Sequence, residues 1–245
     1  MNKLSKRSLI IIIAILSTAI ILMLVLLSLK KNSLSILDNF ANSTNPIASE
    51  YSSSEPTEKS PIVVIDAGHG GREPGAGNGS TNEKDITLAI SLEVEKSLKE
   101  KNIDYYMIRN DDTYVSLEDR VKVANEKSCK LFVSIHNNSF TNSSQSGILT
   151  TYNPYSPNGK KIAEIMQSKI DNIGMRNRNI MQRPNLYVLR HTEMPAILLE
   201  IGFISNKKDL QLLTDASFQK KCAQQIVLGI EEIITDEVES SEGDR

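Results

Sequence analysis

Tryptophan is absent from this 245-residue chain and aromatic residues make up only 5% of it. That scarcity tells against a module that stacks sugars on aromatic faces. There are two cysteines, Cys129 and Cys222, and no Cys-x-x-Cys pair. A thiolate zinc site is thereby excluded, and the two thiols read as separate small core residues rather than a disulfide. Neither sign of charge dominates: 28 Lys and Arg against 30 Asp and Glu leave a formal net charge of −2. No global field therefore selects nucleic acid as a partner. There is no internal repeat and no His-Glu-x-x-His. A third glycine is also missing after Gly68-x-Gly70, where Glu73 stands, and the following helix starts too late to cradle a pyrophosphate. A dinucleotide-binding loop is excluded on both counts.

One long apolar run is present. Lys3, Lys6 and Arg7 precede an uncharged stretch from Leu9 to Leu29. About 20 apolar residues span a bilayer as a helix. The run is long for a signal-peptide core, and no small-x-small cleavage site follows it directly. We read residues 1–31 as an uncleaved membrane anchor, with a cleaved signal peptide as the alternative. The slight excess of positive charge before the run favours an inside N-terminus, which puts the rest of the chain outside the cytoplasm. Residues 32–60 are rich in Ser, Asn, Thr and Glu and show no apolar period, so they form a flexible linker. Residues 61–236 are the globular domain, and 237–245 a polar, frayed tail.

Within the domain, short β-branched runs alternate with helical patterns. Strands are expected at Ile62–Asp66, Ile103–Ile108, Leu131–Ile135, Ile148–Tyr152, Leu186–Leu189 and Ala196–Ile201. Helices are expected at Glu83–Lys99, Leu117–Glu126, Gly159–Ile173, Lys208–Leu213 and Phe218–Ile234. Ile86, Ile90, Val94 and Leu98 mark one face of the first helix, and Phe218, Cys222, Ile226, Ile230 and Ile233 one face of the last. This alternation implies α/β layering around a mostly parallel sheet.

Two of the three histidines sit at the ends of apolar strands. His69 follows Ile62–Asp66 in the Gly-rich turn Ala67-Gly68-His69-Gly70-Gly71, and His136 closes Leu131–Ile135. In open α/β sheets, ligands bind past the carboxyl ends of strands. Glu83 opens the next helix, where an acidic residue also complements the helix dipole. Two imidazoles and one carboxylate form the ligand set of a catalytic zinc. The alternative is a pair of histidines simply hydrogen-bonded at strand ends. Glu200 lies near the end of an apolar strand, where a carboxylate is costly to bury unless paired or functional. It serves either as a general base, moving a proton from water to a leaving amine, or as the partner of Arg190 or Arg120. His191 reads as a solvated loop residue. Asn137 and Asn138 either bond substrate or shape their loop. Arg72 and Glu73 line a cleft or are merely exposed. Arg176, Arg178 and Arg183 make a basic loop that either meets substrate carboxylates or a partner, or is ordinary surface charge.

The segments Ile65-Asp66-Ala67-Gly68-His69-Gly70-Gly71, Glu83-Lys84-Asp85, Ser134-Ile135-His136-Asn137-Asn138-Ser139 and Glu200-Ile201-Gly202-Phe203-Ile204-Ser205-Asn206, with Leu117-Glu118-Asp119-Arg120, occur in the order of a known family. The chain resembles the zinc-dependent N-acetylmuramoyl-L-alanine amidases of the Amidase_3 type from about Ile62 to Ile234. The resemblance implies a sheet of about six strands flanked by helices, with His69, Glu83 and His136 as zinc ligands and Glu200 as the catalytic carboxylate. It implies peptidoglycan as substrate, cut between the lactyl group of N-acetylmuramic acid and L-alanine. Regulation by a partner protein is a further family expectation. The single anchor and short linker resemble the spore-cortex, germination-specific branch, with the domain on the cell-wall side or in the forespore intermembrane space. Ala67 stands where the family usually has proline. The loop Asn137–Ser146 is too short for the helical insertion that occludes the zinc in some relatives. Two alternatives remain at this point: another zinc hydrolase of peptidoglycan, such as a carboxypeptidase or deacetylase, or an anchored wall-binding protein without turnover.

Overall fold

The computed structural model describes residues 62–242, with side chains through 236. The expected anchor, residues 1–31 with the apolar run Leu9–Leu29, and the whole linker, residues 32–60, lie outside the described residues. Among the described residues, no helix is long and apolar enough to cross a membrane.

A six-stranded sheet carries the domain. Its strands are β1 (Val63–Ala67), β4 (Tyr105–Met107), β5 (Leu131–Asn138), β6 (Ile148–Tyr152), β7 (Asn177–Gln182) and β8 (Ala196–Phe203), in the order β4-β1-β5-β8-β6-β7. A two-stranded hairpin, β2 (Gly77–Asn78) and β3 (Thr81–Asn82), stands apart from it. Every sheet pairing is parallel except β6 against β8. The chemistry-bearing ends of β1, β5 and β8 therefore share one rim. β1, β5 and β8 are buried almost throughout, as near-continuous apolar runs require when both faces of a sheet are covered.

One face is covered by α1 (Glu83–Glu100), α3 (Gly159–Ile170) and α6 (Ala216–Glu242). The expected stripes of α1 and α6 pack there against Ile65, Val133, Ile135, Ile197 and Leu199. The opposite face is more thinly covered, by α2 (Leu117–Lys127) and α4 (Tyr187–His191), which set Val121, Ala124, Val188 and Leu189 on Val64, Phe132 and Leu198. A short helix, α5 (Lys207–Leu213), follows β8. Cys129 and Cys222 are free, buried and in different core clusters.

Three segments differ from expectation. Leu186–Leu189, expected as a strand, instead leads into the helical turn α4. A four-residue apolar run has no periodicity to separate the two, and here adjacent Val188 and Leu189 both bury on the sheet. The expected basic loop is instead largely β7. This is an edge strand with half its length exposed, so its polar sequence Asn-Arg-Asn-Ile-Met-Gln carries no alternating signal. Asn179 at φ 62° places an extra residue where the β6–β7 register slips. The last helix also runs past Ile234 to Glu242, through sequence expected to fray.

Candidate metal centre

The turn after β1 is built around positive φ. His69 (60°), Gly70 (133°) and Gly71 (55°) all lie in the left-handed half of conformational space, which a non-glycine residue occupies only when its surroundings impose it. Two buried arginines impose it here. Arg109 donates from Nε to the carbonyl of Ala67 (2.9 Å) and from a terminal nitrogen to that of Gly68 (2.7 Å). Arg120 donates to the carbonyls of Ala67 (2.8 Å) and His69 (2.7 Å) and pairs with the buried carboxylate of Asp66. Asp66 also accepts from Ser134 Oγ on β5 at 2.8 Å. The turn is therefore clamped through its backbone, leaving the imidazole free for other work.

That imidazole meets Glu83. His69 Nε2 lies 3.1 Å from Glu83 Oε2, and His136 Nδ1 lies 2.9 Å from Glu83 Oε1. The two rings stand edge to face with centroids 4.8 Å apart. Each carboxylate oxygen also accepts a backbone N–H, from Asn137 (3.0 Å) and from Ala76 (2.8 Å). Burial alone pushes the Glu83 carboxyl up, but hydrogen bonds from His136 and His69 outweigh it and hold it well below the usual carboxylate range. His69 moves the opposite way: burial lowers it, but Glu83 and Glu73 raise it above its ordinary value. Glycines make room for the group. A Cβ on Gly68 would stand 2.4 Å from His136 Cε1, and one on Gly75 would stand 2.6 Å from both Glu83 Oε2 and His69 Cδ2.

One donor atom from each of His69, Glu83 and His136 lies within 4.8 Å of the others. Two imidazoles and a carboxylate converging this way, the carboxylate oriented by backbone N–H groups, fit a zinc ion with an open coordination position. The two histidines, for which simple hydrogen bonding at strand ends was the alternative, both meet the one carboxylate of Glu83.

Glu200 lies on β8 directly opposite His136 on β5. Its Oε2 is buried and has no hydrogen-bond partner among the described residues. Burial, reinforced by the Glu83 charge and opposed by His136, pushes its carboxyl up to about 7. Of its two candidate partners, Arg120 is committed to Asp66 and the His69 turn, and Arg190 is exposed on α4. A carboxyl raised in the folded state binds a proton more readily there than when unfolded. The resulting penalty is absent below pH 4.5 and complete above pH 7. Metal-free Glu200→Gln should therefore be more stable than the parent by about 2–3 kcal/mol at pH 8 and equally stable at pH 4. Urea unfolding at the two pH values checks this.

His191, expected on a loop, ends α4 with its ring 4.4 Å from Tyr187 and is not part of the group. Arg72 lies over the Tyr114 ring at 4.1 Å. Asn137 ties β5 to β8 through the Ile201 carbonyl (2.5 Å). Sequence reasoning missed the clamp of Arg109 and Asp66, because a buried arginine has no periodic signature. Arg120→Met should cost about 3–5 kcal/mol in unfolding free energy, since it strands the buried Asp66 carboxylate. Chemical denaturation at pH 7 reads that loss directly.

Comparison with known proteins gives one family. Residues 63–232 match the family model described as N-acetylmuramoyl-L-alanine amidase. The chain is 33% identical over 180 residues to the probable cell wall amidase LytH of Staphylococcus aureus, covering 71% of this chain and 60% of LytH. It superposes on the catalytic domain of the amidase CwlV from Bacillus (Paenibacillus) polymyxa var. colistinus with a TM-score of 0.68 and 39% identity, covering 71% of this chain and 98% of that one. The CwlD amidase from Clostridioides difficile, solved in complex with the GerS lipoprotein, matches with a TM-score of 0.68 and 32% identity over 71% and 98% of the two chains.

Proposed function

The chain belongs to the N-acetylmuramoyl-L-alanine amidase family, hydrolysing the amide between the muramoyl lactyl group and L-alanine in peptidoglycan, and we propose that His69, Glu83 and His136 bind one zinc ion while Glu200 moves the protons. When bound, zinc supplies Lewis-acid polarisation of the scissile carbonyl and lowers the pKa of water. Glu83 holds its place through the N–H groups of Asn137 and Ala76, and the Arg109–Arg120 clamp fixes the direction of His69. The Glu200 carboxylate takes a proton from the attacking water and returns it to the departing amine of alanine. A carboxyl near neutrality suits both transfers. The observation that carries this mechanism is the buried Oε2 of Glu200, unpartnered among the described residues, in register with His136.

Digestion of purified peptidoglycan by the full-length protein tests it, with products read by mass spectrometry. The expected products are glycan strands with intact lactyl groups and stem peptides with new L-alanine amino termini. Release of D-alanine alone indicates a carboxypeptidase, release of acetate a deacetylase, and binding without release a wall-binding protein. Running vegetative wall and spore cortex side by side distinguishes the two polymers. The apolar run Leu9–Leu29 further supports a membrane-tethered enzyme with its domain outside the cytoplasm. The likeness to a lipoprotein-bound amidase supports a regulatory protein partner.

A further inference from the structure

The three arginines of the basic segment have separate fates. Arg178 is committed at the start of β7: it donates to Gln145 Oε1 (3.0 Å) and sits 5.1 Å over the Phe203 ring. Arg176 precedes the strand and is exposed. Arg183 follows the strand and is also exposed, but its position differs. Its backbone N–H bonds the Tyr152 carbonyl (2.8 Å), which extends the ladder by one residue beyond Gln182. Met181 pairs with Thr151, and Thr151 with Leu198. Register partners share a face, and so do residues two apart on one strand. Leu198 and Glu200 therefore share a face with Met181, and Arg183, two residues after Met181, follows on that same face.

This is the thinly covered face, bearing only α2 and α4 among the described residues. The Arg183 guanidinium has no hydrogen-bond or ion-pair partner among the described residues, and its positive charge is felt at Glu200. An unpartnered cation on the same thinly covered face as a general base is suited to meet an anion when substrate arrives. Through Tyr152, Gln182 is level with Ile197, so Arg183 stands level with the start of β8. Its backbone is about 10 Å to the side of Glu200 and about 13 Å from it along the strand, and the long side chain closes part of that diagonal. Each residue of an extended peptide advances about 3.3–3.6 Å. A carboxylate two or three residues beyond the scissile amide spans that gap.

We propose that Arg183 is a specificity-determining residue that binds a carboxylate of the stem peptide's second or third residue, so that the enzyme prefers acidic over amidated stems. This rests on the amidase reading of the site. The guanidinium forks onto the carboxylate with charge-assisted hydrogen bonds, and it draws the peptide along the β6–β7 side with its amide at Glu200. The contact is the same in ground and transition states, so it acts on KM rather than kcat.

Four synthetic muramoyl tripeptides test this with the full-length zinc-loaded protein: N-acetylmuramoyl-L-Ala-γ-D-Glu-L-Lys, its two singly amidated forms and the doubly amidated form. The parent protein should cleave the doubly amidated peptide with about 10- to 100-fold lower kcat/KM than the unmodified one, the difference lying in KM. Arg183→Ala should lower the unmodified peptide to that level and leave the doubly amidated one unchanged. Arg183→Lys should recover part of the preference, and Arg176→Ala should match the parent. An equal effect of Arg183→Ala on all four peptides, or none on any, overturns the proposal. Cleavage of none of the four by the parent protein overturns the amidase reading itself, and the proposal with it.

Discussion

Glu200→Gln should lose turnover by about 10²–10⁴-fold, the usual contribution of a positioned acid–base group, while retaining zinc and wall binding. Glutamine keeps the volume and the buried position opposite His136 but can neither accept nor return the proton. Activity requires the ionised carboxylate, so kcat/KM should fall as pH drops through the Glu200 pKa. That value stands at about 7 in the metal-free protein. A bound dication nearby favours the charged form and moves the acidic limb to lower pH. The variant should lack this limb. Wild-type rates in Glu200→Gln would sink the assignment. Loss of zinc with the fold intact would make Glu200 a ligand and exchange its role with Glu83. The gain in metal-free stability expected for the same variant is the other side of the argument: the carboxylate that works best is one the fold would rather not hold.

His136→Ala should abolish zinc binding at stoichiometric metal, and hydrolysis with it. It removes one of only two imidazoles in the group and frees the Glu83 oxygen that the ring engages at 2.9 Å. Altering groups that merely orient ligands typically costs about 10–100-fold in metal affinity, so deleting a ligand should exceed that. Metal analysis after dialysis, alongside circular dichroism to establish folding, measures it. A variant that keeps parental zinc content and affinity would show that the three side chains do not act as a metal site.

The parts of the molecule legible in the sequence are those governed by apolar periodicity. The four-residue spacing of Ile86, Ile90, Val94 and Leu98 gives the buried face of α1, and the β-branched runs give β1, β5 and β8. Because Gly68-His69 follow β1 and His136 and Glu200 lie in the last half of β5 and β8, the candidate site was legible with them. Polar interior structure left no such trace. Arg109, Arg120 and Asp66 look like any surface charges until the fold buries them. β7 was hidden for a related reason: an edge strand pairs through its backbone on one side, and here Ile180 packs against the core while half the strand stays exposed. α4 was too short for a period to declare itself.

The one antiparallel pairing in the sheet has a consequence for how access to the site can change over generations. Because β6 runs against β8, the segment leaving β5 and entering β6, residues 139–147, begins and ends on the rim that carries His69, Glu83 and His136. Every parallel connection must instead carry the chain back across a face of the sheet. Residues added to this rim segment therefore need no crossover, displace no helix and disturb no strand register. Loop-closure entropy charges them only about 0.6 kcal/mol for each doubling in length. The sheet thus offers one address where a cover over the metal centre can be lengthened, shortened or removed while the catalytic framework beneath it stays the same.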